Sequence, residues 1–213
     1  MKADVKNRNE KGPVKKPWNK GKTVGQKAPF PPDAILVIRH ILKDEPRDLA
    51  LFNTAIDTML RAGDLLALRV EDVTDHNGDV IEEGETRQSK TNLGTGFVLK
   101  DKARASLAAW IAASGKFPGD YLFTSLRKDT LGAPISRVQY SRLIKKWAEY
   151  ARLDPRRYST HSGRRTKSSI IYAKTKNLAA CRELLGQKDI GSTARYLGVD
   201  RRQALNLAKD IDV

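Results

Sequence analysis

The chain has 213 residues, with 40 Lys and Arg against 25 Asp and Glu, for a formal net charge of +15. This length suffices for one domain with a full core, and the charge predicts a polyanionic partner, because basic side chains release the counterions condensed on phosphates. No apolar run approaches the roughly 20 residues that span a bilayer, and no secretory signal is visible. The single cysteine, Cys181, cannot form an internal disulfide, which favours a reducing cytoplasm.

Residues 1–32 form a basic segment rich in proline and glycine, which is too polar to bury a core of its own. We expect it to be disordered and to lie along DNA as a basic arm. The expected DNA contacts are Lys15, Lys16, Lys20 and Lys22. The alternative is a solvated tail without a partner.

From Asp33 onward the apolar residues follow the spacing of a mainly helical domain over residues 33–200. Asp33 is the expected N-cap of the first helix. Apolar stripes with a spacing of three to four residues predict the other helices. Their predicted ranges are 49–60, 64–68, 102–114, 136–152, 161–172, 177–185, 192–197 and, within a C-terminal segment 201–213, residues 201–211.

Residues 75–100 break the helical spacing and predict two or three short strands. Asn77-Gly78 is a hairpin-type turn, and the runs Val80-Ile81 and Phe97-Val98-Leu99 are typical of strands. A second turn, which contains Lys90, is expected to be mobile.

His161 and Arg164 lie three residues apart, on one face of a predicted helix. An imidazole beside a guanidinium suits the non-bridging oxygens of a phosphate. Arg165 is about 100° further round the helix, so only one of the adjacent arginines is expected to share the face of His161, and we assign Arg164 to it. By itself the cluster is equally compatible with a basic helix face that has no specific ligand.

Arg61 is expected to end a strongly apolar helix, where a charge is costly without a partner. Asp64, three residues later, is the predicted partner that holds the Arg61 side chain. A structural ion pair at a helix junction explains the two residues about as well.

Tyr196 follows Arg195 near the C-terminus. Its hydroxyl, with an unperturbed pKa of about 10, needs cationic neighbours or a base to become a nucleophile. A place in the core is the more common fate of a tyrosine, so this segment alone does not predict catalysis.

Taken together, four segments resemble motifs of the tyrosine recombinases and phage integrases, and they occur in that family's order over about residues 33–200. The resemblance includes the first arginine motif, the strand-turn lysine, the His-x-x-Arg motif and the segment that leads to the nucleophile. In this chain the four are Thr58–Asp72 around Arg61, Gln88-Ser-Lys90-Thr, Thr160-His161-Ser-Gly-Arg164-Arg-Thr, and Leu184-Leu-Gly-Gln187 followed nine residues later by Tyr196.

The resemblance implies the family's catalytic-domain fold, which is mainly α with a small antiparallel sheet (α+β), and a site-specific recombinase that uses no metal or cofactor. Tyr196 would attack a DNA phosphodiester, form a 3′-phosphotyrosyl link and free a 5′-hydroxyl. Arg61 and Arg164 would stabilise the charge that grows on the phosphorus. Lys90 would protonate the leaving oxygen, and His161 would assist proton transfer from the tyrosine.

Three features depart from the family's pattern. Gln187 stands where His or Trp is usual, and it would donate one more hydrogen bond to the phosphate without carrying positive charge. Gly163 replaces a residue that is usually large and apolar, and it is expected to loosen the packing that orients His161 and Arg164. Many members also have a separate N-terminal helical clamp, whereas here only the basic arm precedes the catalytic domain.

The implied partners are double-stranded DNA, further copies of the chain in a tetramer on DNA, and accessory DNA-binding proteins, in the bacterial cytoplasm at the nucleoid. Arg165 is expected to add a DNA contact. The helix 201–211 is expected to dock either on a neighbouring copy or on its own domain. Two rival functions are a catalytically weak DNA-binding regulator of the same fold and, from another class, a basic RNA-binding protein.

Overall fold

The architecture is seen in a computed structural model that describes residues 25–90, 92–125 and 128–199, together with Leu205 and Lys209. It is mainly helical with one small antiparallel sheet, as predicted. None of the helices in the described residues is long and apolar enough to cross a bilayer. The elements, in chain order, are α1 (Pro32–Ile41), α2 (Pro46–Thr58), α3 (Ala62–Ala67), β1 (Glu83–Arg87), β2 (Gly94–Val98), α4 (Asp101–Ser114), α5 (Arg137–Tyr150), α6 (Thr160–Thr175), α7 (Leu178–Leu184) and α8 (Ile190–Leu197).

Helix starts follow local sequence signals. Ser136 caps α5 by accepting a hydrogen bond from the Gln139 backbone N–H at 3.1 Å, as expected of an N-cap serine. Asp33 is not the N-cap that we predicted, because α1 begins at Pro32 and its N-cap is Pro31. Proline fits that first position because its fixed φ is helical and its missing N–H has no partner there. Asp33 instead places its charge in the first turn, near the positive end of the helix dipole.

The sheet confirms a pair of short strands and the Asn77-Gly78 turn, and Phe97 and Val98 lie in β2 as predicted. The predicted strand at Val80-Ile81 is wrong, because Val80 makes only an isolated bridge and the first strand begins at Glu83. β1 and β2 pair antiparallel, with Glu83 opposite Val98 and Arg87 opposite Gly94. The Asn77-Gly78 turn is closed by a bridge between Thr74 and Val80, and Gly78 has a φ of +87°, which a residue without a Cβ adopts readily.

The core lies around α2, which packs on α4 and α6. The Phe52 ring meets Trp147 of α5 edge-on at 5.3 Å between ring centres, and both side chains are fully buried. Phe30, which precedes α1, packs on Phe52 at 5.7 Å and stacks on Tyr158 at 4.8 Å. These aromatic contacts tie the chain before α1 into the same core as the central helices.

Residues 25–31, here called the N-terminal strap, are part of the folded domain. The Ala28 N–H donates to the Arg157 carbonyl at 2.8 Å, and the Phe30 N–H donates to Thr166 Oγ1 at 3.0 Å. The predicted boundary of the disordered arm at residue 32 is therefore wrong, because the buried Phe30 ring fixes this stretch. Three predictions lie outside the described residues. They are the DNA contacts of Lys15, Lys16, Lys20 and Lys22, the disorder of the chain before residue 25, and the helix 201–211 except at Leu205 and Lys209.

Gly163 sits where α6 crosses α2 at close range. A Cβ at this position would lie 3.2 Å from the Ala55 Cβ and 3.4 Å from the Tyr140 hydroxyl. The expectation of loose packing around Gly163 is therefore wrong, since the missing side chain lets the two helices approach closely. This contact holds the first turns of α6, which carry Arg164, against α2.

Candidate active site

Arg61 reaches the site through a left-handed turn rather than from the end of a helix. α2 ends at Thr58, and Met59 adopts a φ of +51°, which costs a residue with a side chain of the order of 1 kcal/mol. Arg61 then becomes the N-cap of α3, so the predicted position at the end of the apolar helix is wrong. Its side chain is half-buried, and its guanidinium donates a hydrogen bond to Gln88 Oε1.

Asp64 does not hold Arg61, contrary to the prediction. Its Oδ1 accepts hydrogen bonds from the Ser89 N–H at 2.9 Å and from Ser89 Oγ at 2.7 Å. The carboxylate therefore anchors the start of the turn that carries Lys90 to helix α3.

Arg164 is held by the carboxyl ends of two helices. Its Nη1 donates to the Met59 carbonyl at 2.7 Å, and its Nη2 donates to the Leu185 carbonyl. These carbonyls follow α2 and α7, where the partial negative charge of each helix end favours a cation. The side chain is only 3% exposed, and burial is the main cause that lowers its pKa. Two of its five N–H donors are used in this way, and a side-chain hydrogen bond with Tyr196 is among the causes that oppose the lowering of its pKa.

Tyr196, on α8, packs on two guanidinium groups of α6. Its ring centre lies 6.0 Å from the Arg164 guanidinium and 5.1 Å from that of Arg165. The hydroxyl is buried and makes no hydrogen bond of normal geometry with the described residues. Burial raises the pKa of Tyr196, while the positive charges of Arg164, Arg165 and Arg61 oppose that rise.

Arg165 lies against the tyrosine rather than on an outward DNA-facing surface. It is 7% exposed, and its Nη2 donates to Gln26 Oε1 of the N-terminal strap at 2.7 Å. Gln26 in turn donates to the Arg195 carbonyl of α8. The prediction that only one of the two arginines faces the site is wrong for this arrangement, since the Tyr196 ring of α8 lies against both. The DNA contact expected of Arg165 stays a prediction.

His161 and Lys90 are the exposed members of the predicted set. His161 lies in the same turn of α6 as Arg164. Its pKa is lowered, mainly because surrounding protein atoms reduce the hydration of the imidazole, and further by the positive charges of Arg164, Arg165 and Arg61. Lys90 makes no hydrogen bond or ion pair with the described part of the chain.

Gln187 follows α7 and is tied to α8. Its Oε1 accepts a hydrogen bond from Thr193 Oγ1 at 2.6 Å, which leaves its amide N–H groups without an acceptor among the described residues. Over those same residues, no three His, Cys, Asp or Glu side chains cluster as metal ligands do.

The sequence reasoning missed Gln26, Gln88 and the Leu185 carbonyl. A signal for Gln88 was present in the sequence, because the uncharged Gly84, Thr86 and Gln88 alternate with charged residues along β1 and its extension. The structure places these three on the less exposed face. Backbone carbonyls and the strap leave no such signal in a sequence.

Comparison with known proteins agrees with the four motifs. Residues 32–203 match the model of the phage integrase family. The probable integrase/recombinase YoeC of Bacillus subtilis is 29% identical over 164 residues, which are 77% of this chain and 84% of YoeC.

Solved structures share the fold at low identity. XerA recombinase superposes with a TM-score of 0.70 at 16% identity, over 88% of this chain and 66% of XerA. XerH recombinase in a post-cleavage complex with palindromic difH superposes with a TM-score of 0.67 at 15% identity, over 86% of this chain and 53% of XerH. The chain thus spans about half to two thirds of these two proteins. The family's motifs occur in order, its model matches residues 32–203, and its fold is present. This chain therefore belongs to the phage integrase family.

Proposed function

We propose that this chain is a site-specific tyrosine recombinase, which cleaves and rejoins duplex DNA through a 3′-phosphotyrosyl intermediate. The observation that carries the proposal is the packing of Tyr196 on the guanidinium groups of Arg164 and Arg165. A phenol beside fixed positive charge is set up to meet a phosphate, and the same charges oppose the rise that burial causes in the pKa of the Tyr196 hydroxyl.

The proposed reaction exchanges one phosphoester for another. Tyr196 Oη loses its proton and bonds to the phosphorus, the bond from phosphorus to the 5′-oxygen breaks, and that oxygen takes up a proton. Rejoining runs in reverse, when a 5′-hydroxyl attacks the phosphotyrosine and the tyrosine leaves. Each step conserves a phosphodiester bond, so the chemistry balances without an added reactant.

Arg61 and Arg164 stabilise the charge that develops on the phosphate oxygens. Such preorganised donors usually supply the largest catalytic term, and Arg164 is already fixed by two backbone carbonyls. Because these cations supply the positive charge, we propose that cleavage requires no metal ion, and that Gln187 adds a donor from the loop after α7.

His161 and Lys90 carry the protons. The lowered pKa of His161 keeps its imidazole neutral at neutral pH, which suits a base that takes the Tyr196 proton. Lys90 is exposed in a turn anchored through Ser89 and Asp64, and we assign it the role of protonating the leaving 5′-oxygen.

Duplex DNA is the proposed partner, and the XerH complex with difH supports this choice of substrate. Exchange between two duplexes needs four active sites, so we propose a tetramer on DNA in the cytoplasm, at the nucleoid. The helix predicted from the sequence over 201–211 and accessory DNA-binding proteins are the proposed aids to assembly.

The test is covalent trapping. The full chain is incubated with a pool of duplexes that carry randomised sites, each with a nick that lets the cleaved end diffuse away, in the presence of EDTA. We expect a protein–DNA complex that resists SDS, with the nucleotide mapped to Tyr196 by peptide mass spectrometry. Absence of any such complex would overturn the function, and a complex lost only in EDTA would overturn metal independence.

A further inference from the structure

Gln88 is a buried polar side chain at the centre of the site. It is 1% exposed and lies just after β1. Its Oε1 accepts a hydrogen bond from Arg61, and its Nε2 donates to Thr95 Oγ1 of β2 at 2.6 Å and to the Leu185 carbonyl at 3.4 Å. One amide side chain therefore connects the first arginine, the sheet and the end of α7.

Within the described residues, Gln88 is the group that orients the Arg61 guanidinium. The acid nearest in sequence, Asp64, is engaged by Ser89 instead. An amide oxygen fixes a guanidinium without neutralising it, whereas a carboxylate at this place would offset the charge that a phosphate needs.

The Leu185 carbonyl links the two arginines. It accepts hydrogen bonds from Arg164 Nη2 and from Gln88 Nε2. Arg61 and Arg164 are thus held to one backbone oxygen, the first through Gln88 and the second directly, so the position of Gln88 sets the spacing of the two cations.

Gly186 is shaped to admit Gln88. It has a φ of +51°, and a Cβ there would collide with Gln88 Nε2 and come within 2.6 Å of Thr95 Oγ1. The turn that follows α7 therefore has room for the glutamine only because residue 186 has no side chain.

We propose that Gln88 is a positioning residue for strand cleavage, which holds the Arg61 guanidinium at a fixed distance from Arg164 while leaving its full positive charge for the scissile phosphate. The inference deepens the proposed function and depends on it.

The test compares Gln88→Met, which keeps the length of the side chain but removes its hydrogen bonds, with Gln139→Met on α5 as the matched control. Rates of covalent complex formation are measured at saturating DNA on two nicked duplexes recovered from the randomised pool. One carries an ordinary scissile phosphate, and the other a methylphosphonate, which lacks the charge that arginine neutralises.

We expect Gln88→Met to slow cleavage of the ordinary phosphate by about 10- to 100-fold, as misplaced catalytic groups do, with unchanged DNA affinity and a much smaller loss on the methylphosphonate. Gln139→Met should change neither rate. Equal losses on both substrates, or no loss, would overturn the inference.

Gln88→Glu gives an independent pH readout. Its carboxylate would offset the charge of Arg61, so cleavage should be slow at neutral pH and should recover relative to the original chain as the pH falls and the carboxyl becomes neutral. A ratio of rates that does not change with pH would contradict the charge argument.

Failure of the proposed function is distinguishable from failure of this inference. If the unmodified chain forms no covalent complex, nitrogen-15 relaxation of the Arg61 Nε–H still reports whether Gln88 holds the guanidinium. Gln88→Met should increase the motion of that group, and Gln139→Met should not. Unchanged order at Arg61 would overturn the positioning role whatever the catalytic result.

Discussion

The Arg165 guanidinium lies 5.1 Å from the centre of the Tyr196 ring. It therefore acts on the candidate nucleophile at short range, both as a cation over an aromatic face and as a charge that favours the phenolate. The same guanidinium is bound to Gln26 of the N-terminal strap. The environment of the tyrosine thus depends on a segment that precedes the helical domain.

Replacing Arg165 with Gln should raise the pKa of both His161 and Tyr196, because the positive charge of Arg165 lowers each of them. The pKa of His161 should rise toward its ordinary value of about 6.5, so a larger fraction of the imidazole is protonated in weak acid. Because a protonated imidazole cannot act as the base, cleavage should be lost at a higher pH. Proton NMR titration of His161 and the pH–rate profile measure the two effects. Arg142→Gln, an exposed change on α5, is the control, and an unmoved His161 midpoint would contradict the prediction.

Tyr196→Phe should abolish the covalent complex, keep DNA affinity and leave the fold at least as stable. The buried hydroxyl has no hydrogen-bond partner of normal geometry among the described residues, so its removal loses no such bond and stabilises by up to about 1 kcal/mol. Thermal unfolding and DNA-binding titrations measure these effects. Tyr150→Phe, where Lys146 also lies over the ring, should keep the covalent complex. A lower melting temperature for Tyr196→Phe would show that the hydroxyl is satisfied.

Gln187→His should speed cleavage by about tenfold or more, since a positioned acid–base group contributes at least that much. One imidazole nitrogen can accept the Thr193 hydrogen bond that Gln187 Oε1 now accepts at 2.6 Å, and the other then donates to the phosphate. Single-turnover trapping measures the rate. In a Thr193→Val background, where this anchor is gone, the same change should give little gain. A histidine variant no faster than the original chain would mean that the glutamine costs no activity.

Deletion of residues 2–24 should weaken DNA binding and flatten its dependence on salt, because each phosphate contact that is lost reduces counterion release. It should not lower thermal stability, since the N-terminal strap that holds Phe30 in the core remains. Deletion of residues 2–31 should reduce both the affinity for DNA and the thermal stability. An unchanged salt slope in the shorter deletion would contradict the role of the arm.

The helices were predictable because their apolar stripes recur at helical spacing and their caps are local. The stripe of Tyr140, Ile144 and Trp147 lies on the buried face of α5, which begins directly after the Ser136 cap. Of the two strands, β2 was predictable from the apolar Phe97 and Val98, whereas β1 has no apolar run and lies after the predicted Val80-Ile81.

The errors at the charged residues of the site have one physical origin, which is that the partners of these groups come from distant parts of the chain. Helix geometry separates Arg164 from Arg165 by about 100°, but a broad tyrosine ring on α8 contacts both. The prediction paired Asp64 with Arg61 because the two are close in sequence. However, Met59 adopts a left-handed conformation that redirects the chain, and the Asp64 carboxylate accepts its hydrogen bond from Ser89 instead.

The close approach at Gly163 limits how this chain can exchange segments with its relatives. A large apolar residue at this position would press on Ala55 and Tyr140, and overpacking of that kind costs about 1–3 kcal/mol. A chimera that takes the His-x-x-Arg segment from a relative with leucine there must therefore also take that relative's residues opposite it, on α2 and on α5. The unit that can be transplanted is the packed group of three helices, and the motif alone is not sufficient.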